Sequence, residues 1–295
     1  MSPAHESTDV LTETSTWTWR LVKERGMGLL FAFTALVSIA AVALICVFLV
    51  GGSLPAFSEI GLFAFLTGTD WSPSDVPPTF GILPMIVGSL YITAGAIVVG
   101  VPVGLLAAVF LARSCPPRLY RIVKPGVDLL AGIPSVVYGF FGMAAIVPLF
   151  DNSMLAASVL LGIMILPTIV ALAESALRAV PESYYEGALA LGSGHYRAVY
   201  SVLLPAARSG VLAAIVLGVG RAIGETMAVI MVAGNQARMP DSIFDGVRTL
   251  TANIVLEMGY AADLHRQALI ATGVVLLVFI LLINLSFSAL VRKAR

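Results

Sequence analysis

An all-α membrane protein with six spanning helices is the fold class that this sequence predicts. Three observations lead there: the composition, the spacing of the charged residues and the uneven placement of the basic ones. Of 295 residues, 59% are hydrophobic and 12% charged, and the mean hydropathy is +0.97. A soluble domain carries about 25% charged residues, so the composition argues against a water-soluble enzyme. Charges are separated by long neutral intervals. Arg25 to Glu59 leaves 33 uncharged positions, Asp75 to Arg113 37, Asp128 to Asp151 22, Asp151 to Glu174 another 22, and Arg266 to Arg292 25. Each interval accommodates one helix of about 20 apolar residues, the length that about 30 Å of hydrocarbon requires. The spans fall at about 27–50, 85–112, 128–150, 153–174 and 267–291, with a sixth at 209–236 that is apolar except for Arg221 and Glu225.

Taken in order, residues 1–19 are polar and rich in Ser and Thr, and are expected to form a disordered tail before one transmembrane domain at 20–295. Span one is longer than the about 7–15 apolar residues of a signal peptide, so it is expected to be a retained anchor. Span two starts near Met85, because Pro77, Pro78, Gly81 and Pro84 precede it. The aromatics Phe57, Trp71 and Phe80 of loop 51–84 are expected at headgroup level, with a docking surface for an external partner as the alternative. Gly132 and Pro134 interrupt span three, and Pro148 and Pro167 shape the bundle further. In loop 238–266, the stretch Val247–Met258 is expected as a short helix at the membrane interface. Thirteen basic residues fall on the side of the termini and three on the other. The positive-inside rule therefore makes both termini cytoplasmic.

Several function classes drop out. Zero net charge argues against nucleic-acid binding. Lys23, Lys124 and Lys293 are the only lysines and none follows a glycine, so no phosphate-cradling G-x-x-x-x-G-K-[ST] loop exists. His5, His195 and His265 have no metal-ligand spacing, and Cys46 and Cys115 belong to opposite sides of the membrane. No catalytic or metal-binding residue is expected.

Two segments carry the functional signal. From Pro181 to Pro205 the chain predicts a short helix, a turn marked by Gly192 and Gly194, a second helix, and a proline opening span five. In span five, Arg221 and Glu225 are four residues apart, which on a continuous helix lets them meet. Charges in hydrocarbon are costly and usually line a bundle interior or a water-filled path. A guanidinium suits phosphate oxygens, so the pair is expected either to fix packing or to flank an anion path in which Glu225 holds Arg221 until an anion arrives. Gly220 and Gly224 have the spacing that lets a second helix approach.

Glu186-Gly187-Ala188, then Gly192, nine residues, and Val202-Leu203-Leu204-Pro205 resemble the E-A-A-x-x-x-G-x(9)-I-x-L-P signature of ABC importer permeases, departing at Gly187 and Val202. This resemblance implies a MetI-like permease fold and a coupling segment seated in a groove of a separate ATPase. Its coupling residues would be Glu186, Gly187, Ala188, Gly192, Val202, Leu204 and Pro205. The chain would then be no enzyme and bind no cofactor, ATP and Mg being used by the ATPase. The run Gly220–Asn235, with Ala131–Gly139, Phe80–Pro84, Gly88–Leu90 and Pro167–Ile169, resembles phosphate-importer permeases of the PstC family over roughly residues 20–292. That implies a channel-forming subunit in the bacterial inner membrane, moving inorganic phosphate by alternating access past Arg221, Glu225 and Thr226. The implied partners are a PstA-type second permease, a PstB-type ATPase dimer, a PstS-type periplasmic phosphate-binding protein and the bilayer. Sulfate, molybdate and phosphonate permeases share the coupling signature. An ion-coupled secondary transporter using Glu225 or Glu174 is the alternative from another class.

Overall fold

The computed structural model describes the backbone of residues 7–293 and the side chains of residues 24–286 and 289. The chain divides into two compact units near Gly52. The first lies within helix α1 (Ser7–Ala56), where Phe31, Phe33, Leu36, Ile39 and Leu44 are exposed, as lipid-facing side chains are. Of the expected disordered tail, residues 1–6 lie outside the described residues, and 7–19 are helical instead. A helix nucleated by the long apolar run adds one hydrogen bond for each residue fixed, so it extends upstream without a second nucleation.

The second unit opens with a π-helical turn (Phe57–Gly61), α2 (Leu62–Thr67) and a hairpin of β1 (Trp71–Ser72) and β2 (Thr79–Phe80), with Trp71 opposite Phe80. Next come α3 (Leu83–Val109), a π-turn to Ser114, α4 (Pro117–Gly132), α5 (Ser135–Phe141), another π-turn, and α6 (Val147–Phe150). Then follow α7 (Met154–Arg178), α8 (Glu182–Ala190), α9 (His195–Ala198), a π-turn, and α10 (Leu204–Ala206). The chain closes with α11 (Arg208–Gly224), α12 (Met227–Val232), α13 (Leu250–Glu257) and α14 (Asp263–Lys293). Among the described residues, four helices are long and apolar enough to cross a membrane, or six if each of two bent pairs is one span.

The bends revise three expectations. Span three does not begin at 128: α4 takes residues up to 132, and the chain turns by 102° before Ser135. Pro134 lacks an N–H and forces Ile133 into an extended conformation (φ −68°, ψ 127°), so the helix stops there. Span five is preceded by a 72° bend, so Pro205 lies in the last turn before that bend rather than opening the span. It also breaks a second time, at Glu225 and Thr226, so 209–236 is not one helix. Pro167, by contrast, sits inside an uninterrupted α7.

The expectations for the 51–84 and 238–266 loops also change. Trp71 and Phe80 are buried against each other, ring centroids 5.8 Å apart, in a core with Ile82, Met85 and Leu250. They serve as packing, not as a headgroup girdle. Helix α13 likewise buries Leu250, Thr251, Ala252, Asn253 and Glu257 inside the protein rather than lying at an interface.

The scaffold is the α3–α7 pair, held close by small residues. A Cβ on Gly100 would fall 2.7 Å from Gly162 O, and one on Gly104 2.9 Å from the Ile169 side chain. Gly95 meets Ser158 in the same way. Lipid tails are as apolar as the side chains, so helices in a bilayer gain little from the hydrophobic effect and tight van der Waals contact of this kind supplies the association. Gly100→Ala is therefore expected to cost about 1–3 kcal/mol through overpacking, read as a lower melting temperature in detergent. Gly126→Ala, at a helical position with nothing within 4 Å, should leave it unchanged or raise it.

Candidate functional site

Chemistry gathers at three levels along the spans: the end bearing the 181–205 segment, the break in span five, and the end bearing the hairpin. At the first, Pro181 is extended and α8 starts at Glu182, whose carboxylate accepts from Arg113 Nη1 at 2.7 Å. Arg113 also donates to Leu177 O, fastening α8 to the turn after α3 and to the end of α7. Gly192 ends α8 at φ +82°, with Gly192 N bonded to Leu189 O and Ser193 N to Ala188 O. That left-handed cap favours glycine. Gly194 adopts φ −72° and needs no such freedom.

His195 joins the two short helices to the same turn, with Nδ1 2.8 Å from Tyr185 Oη and Nε2 3.2 Å from Ser114 Oγ. Glu186 and Gly187 are exposed, and Ala188 is buried. A cavity of about 330 Å³ at the turn is lined by Ala188, Leu191, Gly192, Ser193, Arg197 and Val202, among others. Leu204 packs on the core that contains Leu177 and Val199, and Pro205 is exposed. Leu191 is 91% exposed, with Tyr184, Tyr196 and Tyr200 also exposed on this segment. An apolar and aromatic surface of this kind marks a protein contact. Leu191 was missed from sequence because the signature leaves its position free.

Deep under this segment, Glu174 of α7 is 2% exposed. Its Oε1 accepts from Tyr120 Oη at 2.7 Å and Arg178 Nε at 2.8 Å, and Lys124 Nζ lies 3.4 Å from Oε2. The carboxylate thus pins α4 to α7.

At the break, the expected Arg221–Glu225 pair does not form. Helix α11 ends at Gly224, and Glu225 is extended (φ −70°, ψ 135°), which removes the helical register the pairing needs. Glu225 Oε1 instead accepts from Ala228 N at 3.3 Å, capping α12, and Glu225 O accepts from Thr251 Oγ1 at 3.0 Å. Thr226 Oγ1 donates to Gly224 O. Arg221 makes no ion pair among the described residues; its Nη1 lies 3.4 Å from Thr168 Oγ1 of α7. Gly220 and Gly224 have nothing within 4 Å of a Cβ, so among the described residues of this unit no helix takes the approach their spacing offers. Leu217, Gly224 and Met227 are exposed on the same flank.

At the hairpin end, Glu257 is 6% exposed and collects three donors: Trp71 Nε1 at 2.8 Å, Arg248 Nη1 at 2.6 Å and His265 Nε2 at 2.9 Å. Arg248 is saturated further by Asn235 O and Asn253 Oδ1. Sequence reasoning missed this cluster, in which Trp71 and Glu257 are 186 positions apart. Nearby, backbone N–H groups of Asp241 and Ser242 hold the Asp245 carboxyl below the usual carboxylate range. The turn they close is therefore favoured above the ordinary Asp range and weakens as pH falls through the lowered value.

Residues 100–295 match the family of binding-protein-dependent transport system inner membrane components. A probable ABC transporter permease protein of Bacillus subtilis, YqgH, is 39% identical over 266 residues, covering 85% of this chain and 86% of that protein. The phosphate transport system permease protein PstC of Pasteurella multocida is 34% identical over 273 residues, covering 83% of each. Among solved structures, the MetNI methionine ABC transporter in an inward-facing conformation aligns with TM-score 0.56 at 22% identity, over 73% of this chain and 94% of that one. The fold and its spans define a multi-pass membrane permease. The chain belongs to the family of inner-membrane components of binding-protein-dependent transport systems.

Removing one member of a buried charge cluster leaves the others uncompensated. Glu174→Ala is expected to cost about 3–5 kcal/mol, visible as early melting in detergent. Tyr120→Phe, which deletes one hydroxyl donor to that carboxylate, should cost about 1.5–3 kcal/mol, the range for a hydrogen bond to a charged group.

Proposed function

We propose that this chain is one of two channel-forming subunits of an ATP-driven inorganic phosphate importer of the bacterial cytoplasmic membrane. The observation that carries the reading is an arginine with no ion pair among the described residues, set in a broken span beside Gly220 and Gly224, where a Cβ would meet open space. The PstC relatives supply the substrate class. The uncovered flank at Gly220 and Gly224 is where a PstA-type partner would pack, leaving Arg221 between the subunits.

Arg221 carries a fixed positive charge and planar donors matched to phosphate oxygens. Glu225 does not have to be displaced, since its carboxylate caps α12. It acts by setting the break, and Thr226 adds a hydroxyl beside it. A passing anion gains charge-assisted hydrogen bonds here and loses them on leaving, so binding stays weak enough for transport.

The uneven placement of the basic residues supports a cytoplasmic position for the 181–205 segment and both termini. A PstB-type ATPase dimer, which binds ATP and Mg, would grip the exposed Leu191 and tyrosines around Glu186 and Gly192. Its closure would swing α8 and, through the Arg113 and His195 contacts, the end of α3. Rigid elements moving about the broken span would then alternate access. A PstS-type binding protein would deliver phosphate on the opposite face.

Two tests follow. In proteoliposomes of the assembled complex, Arg221→Gln is expected to abolish ATP-dependent uptake of labelled phosphate with assembly intact, whereas uptake at the original rate would make Arg221 purely structural. Wild-type uptake of sulfate in preference to phosphate would replace the substrate assignment. Gly192→Val, strained at φ +82°, should keep phosphate uptake below wild type at unchanged expression while ATP hydrolysis continues; uptake equal to wild type would remove the turn from coupling.

A further inference from the structure

We infer that Glu257 is a positioning residue that ties the hairpin to the break in span five, so that a load on the hairpin reaches the backbone beside Arg221. This rests on the importer reading above.

The chain of contacts is short and buried. Glu257 is the last residue of α13, and its carboxylate bonds three separate segments: β1 through Trp71, the strand of loop before α13 through Arg248, and the start of α14 through His265. The Trp71 ring also meets Phe80 and His265 edge to face, at 5.8 and 6.1 Å between centroids. Only the hairpin tip reaches outward: residues 74–79 are exposed and Val76 is 98% exposed. At the other end of α13, Thr249 caps the helix, Leu250 N donates to Ser89 Oγ, and Thr251 Oγ1 donates to Glu225 O.

Helix α13 is therefore a strut of about 12 Å at 1.5 Å per residue, fixed to the hairpin at one end and to the unwound peptide at the other. A buried carboxylate with three donors has no equivalent alternative partner, and hydrogen bonds in a low-dielectric interior are stiff. The hairpin, α13 and the start of α14 consequently move as one body. The compliant part is the stretch at Glu225 and Thr226, where the helix is interrupted: Glu225 N reaches only Ala222 O, at 3.3 Å, and Glu225 O is met by a side chain, Thr251 Oγ1. An apolar cluster would pack these elements as well but would not fix the hairpin to α13 in one direction.

The test compares two minimal variants in the nanodisc-embedded complex. Trp71→Phe keeps the ring contact with Phe80 and deletes the Nε1–H bond; Glu257→Gln keeps the volume and deletes the charge. ATP hydrolysis is measured with and without phosphate-loaded periplasmic binding protein, and docking affinity is measured separately. Expected are assembly, basal hydrolysis and docking affinity as in wild type. The stimulation by binding protein should fall by at least about fivefold, the lower end of common coupling factors. If Glu257→Gln fails to assemble, Trp71→Phe alone decides. Stimulation at the wild-type factor, or a loss of docking affinity in its place, overturns the inference. A wild-type complex that ignores the binding protein overturns the importer reading, and this inference with it.

Discussion

A peptide that leaves the helix inside a membrane must find its hydrogen-bond partners in protein, because hydrocarbon offers none. Much of this structure answers that one requirement. Helix α11 stops at Gly224, and the freed carbonyl of Glu225 accepts from Thr251, on a helix that folds back into the protein for eight residues. The freed N–H at the start of α12 is met by the Glu225 carboxylate. Burying α13 in turn places Glu257 away from water, and its charge then requires Arg248, Trp71 and His265. The hairpin, the re-entrant helix and the broken span are successive answers to a single interrupted helix.

The scaffold on which this rests asks for little beyond volume. Gly95, Gly100 and Gly104 of α3 present successive notches to Ser158, Gly162 and Ile169 of α7. The Arg113, Arg178 and Lys124 side chains then lock the basic end of the pair, Arg178 Nη2 donating to Leu111 O across it. Close packing in the middle and ion pairs at the rim give α7 two independent attachments.

The spans were legible because charge is excluded from hydrocarbon, so counting the gaps between charges locates the helices. The turn at Gly192 was legible because a left-handed cap has few residue solutions. The sequence misled wherever a tertiary partner decided the local outcome. Pro134 flagged an interruption, yet the neutral gap after Asp128 still counted residues 129–132 as span, when α4 had already used them. Arg221 and Glu225 have the spacing of a helical pair, and only Thr251, 26 positions away, reveals that the helix between them has ended. Trp71 and Phe80 carry the composition of an interfacial belt, but their face is set by Glu257 and His265, which no local pattern connects to them.

The distribution of satisfied and unsatisfied charge follows from the same physics. Among the described residues two carboxylates are deeply buried, Glu174 at 2% and Glu257 at 6% exposure, one near each end of the spans. Each is surrounded by donors from separate segments, so neither projects an uncompensated negative charge toward the middle. Glu225, the acidic residue at the break, has its carboxylate on the α12 amide and away from Arg221. What is left at mid-depth is a guanidinium with one long contact to a hydroxyl, on a flank with open space. A cation in that position is costly unless something neutralises it. On the importer reading proposed above, a mobile anion would supply that neutralisation, since a fixed carboxylate would have to be displaced at every passage.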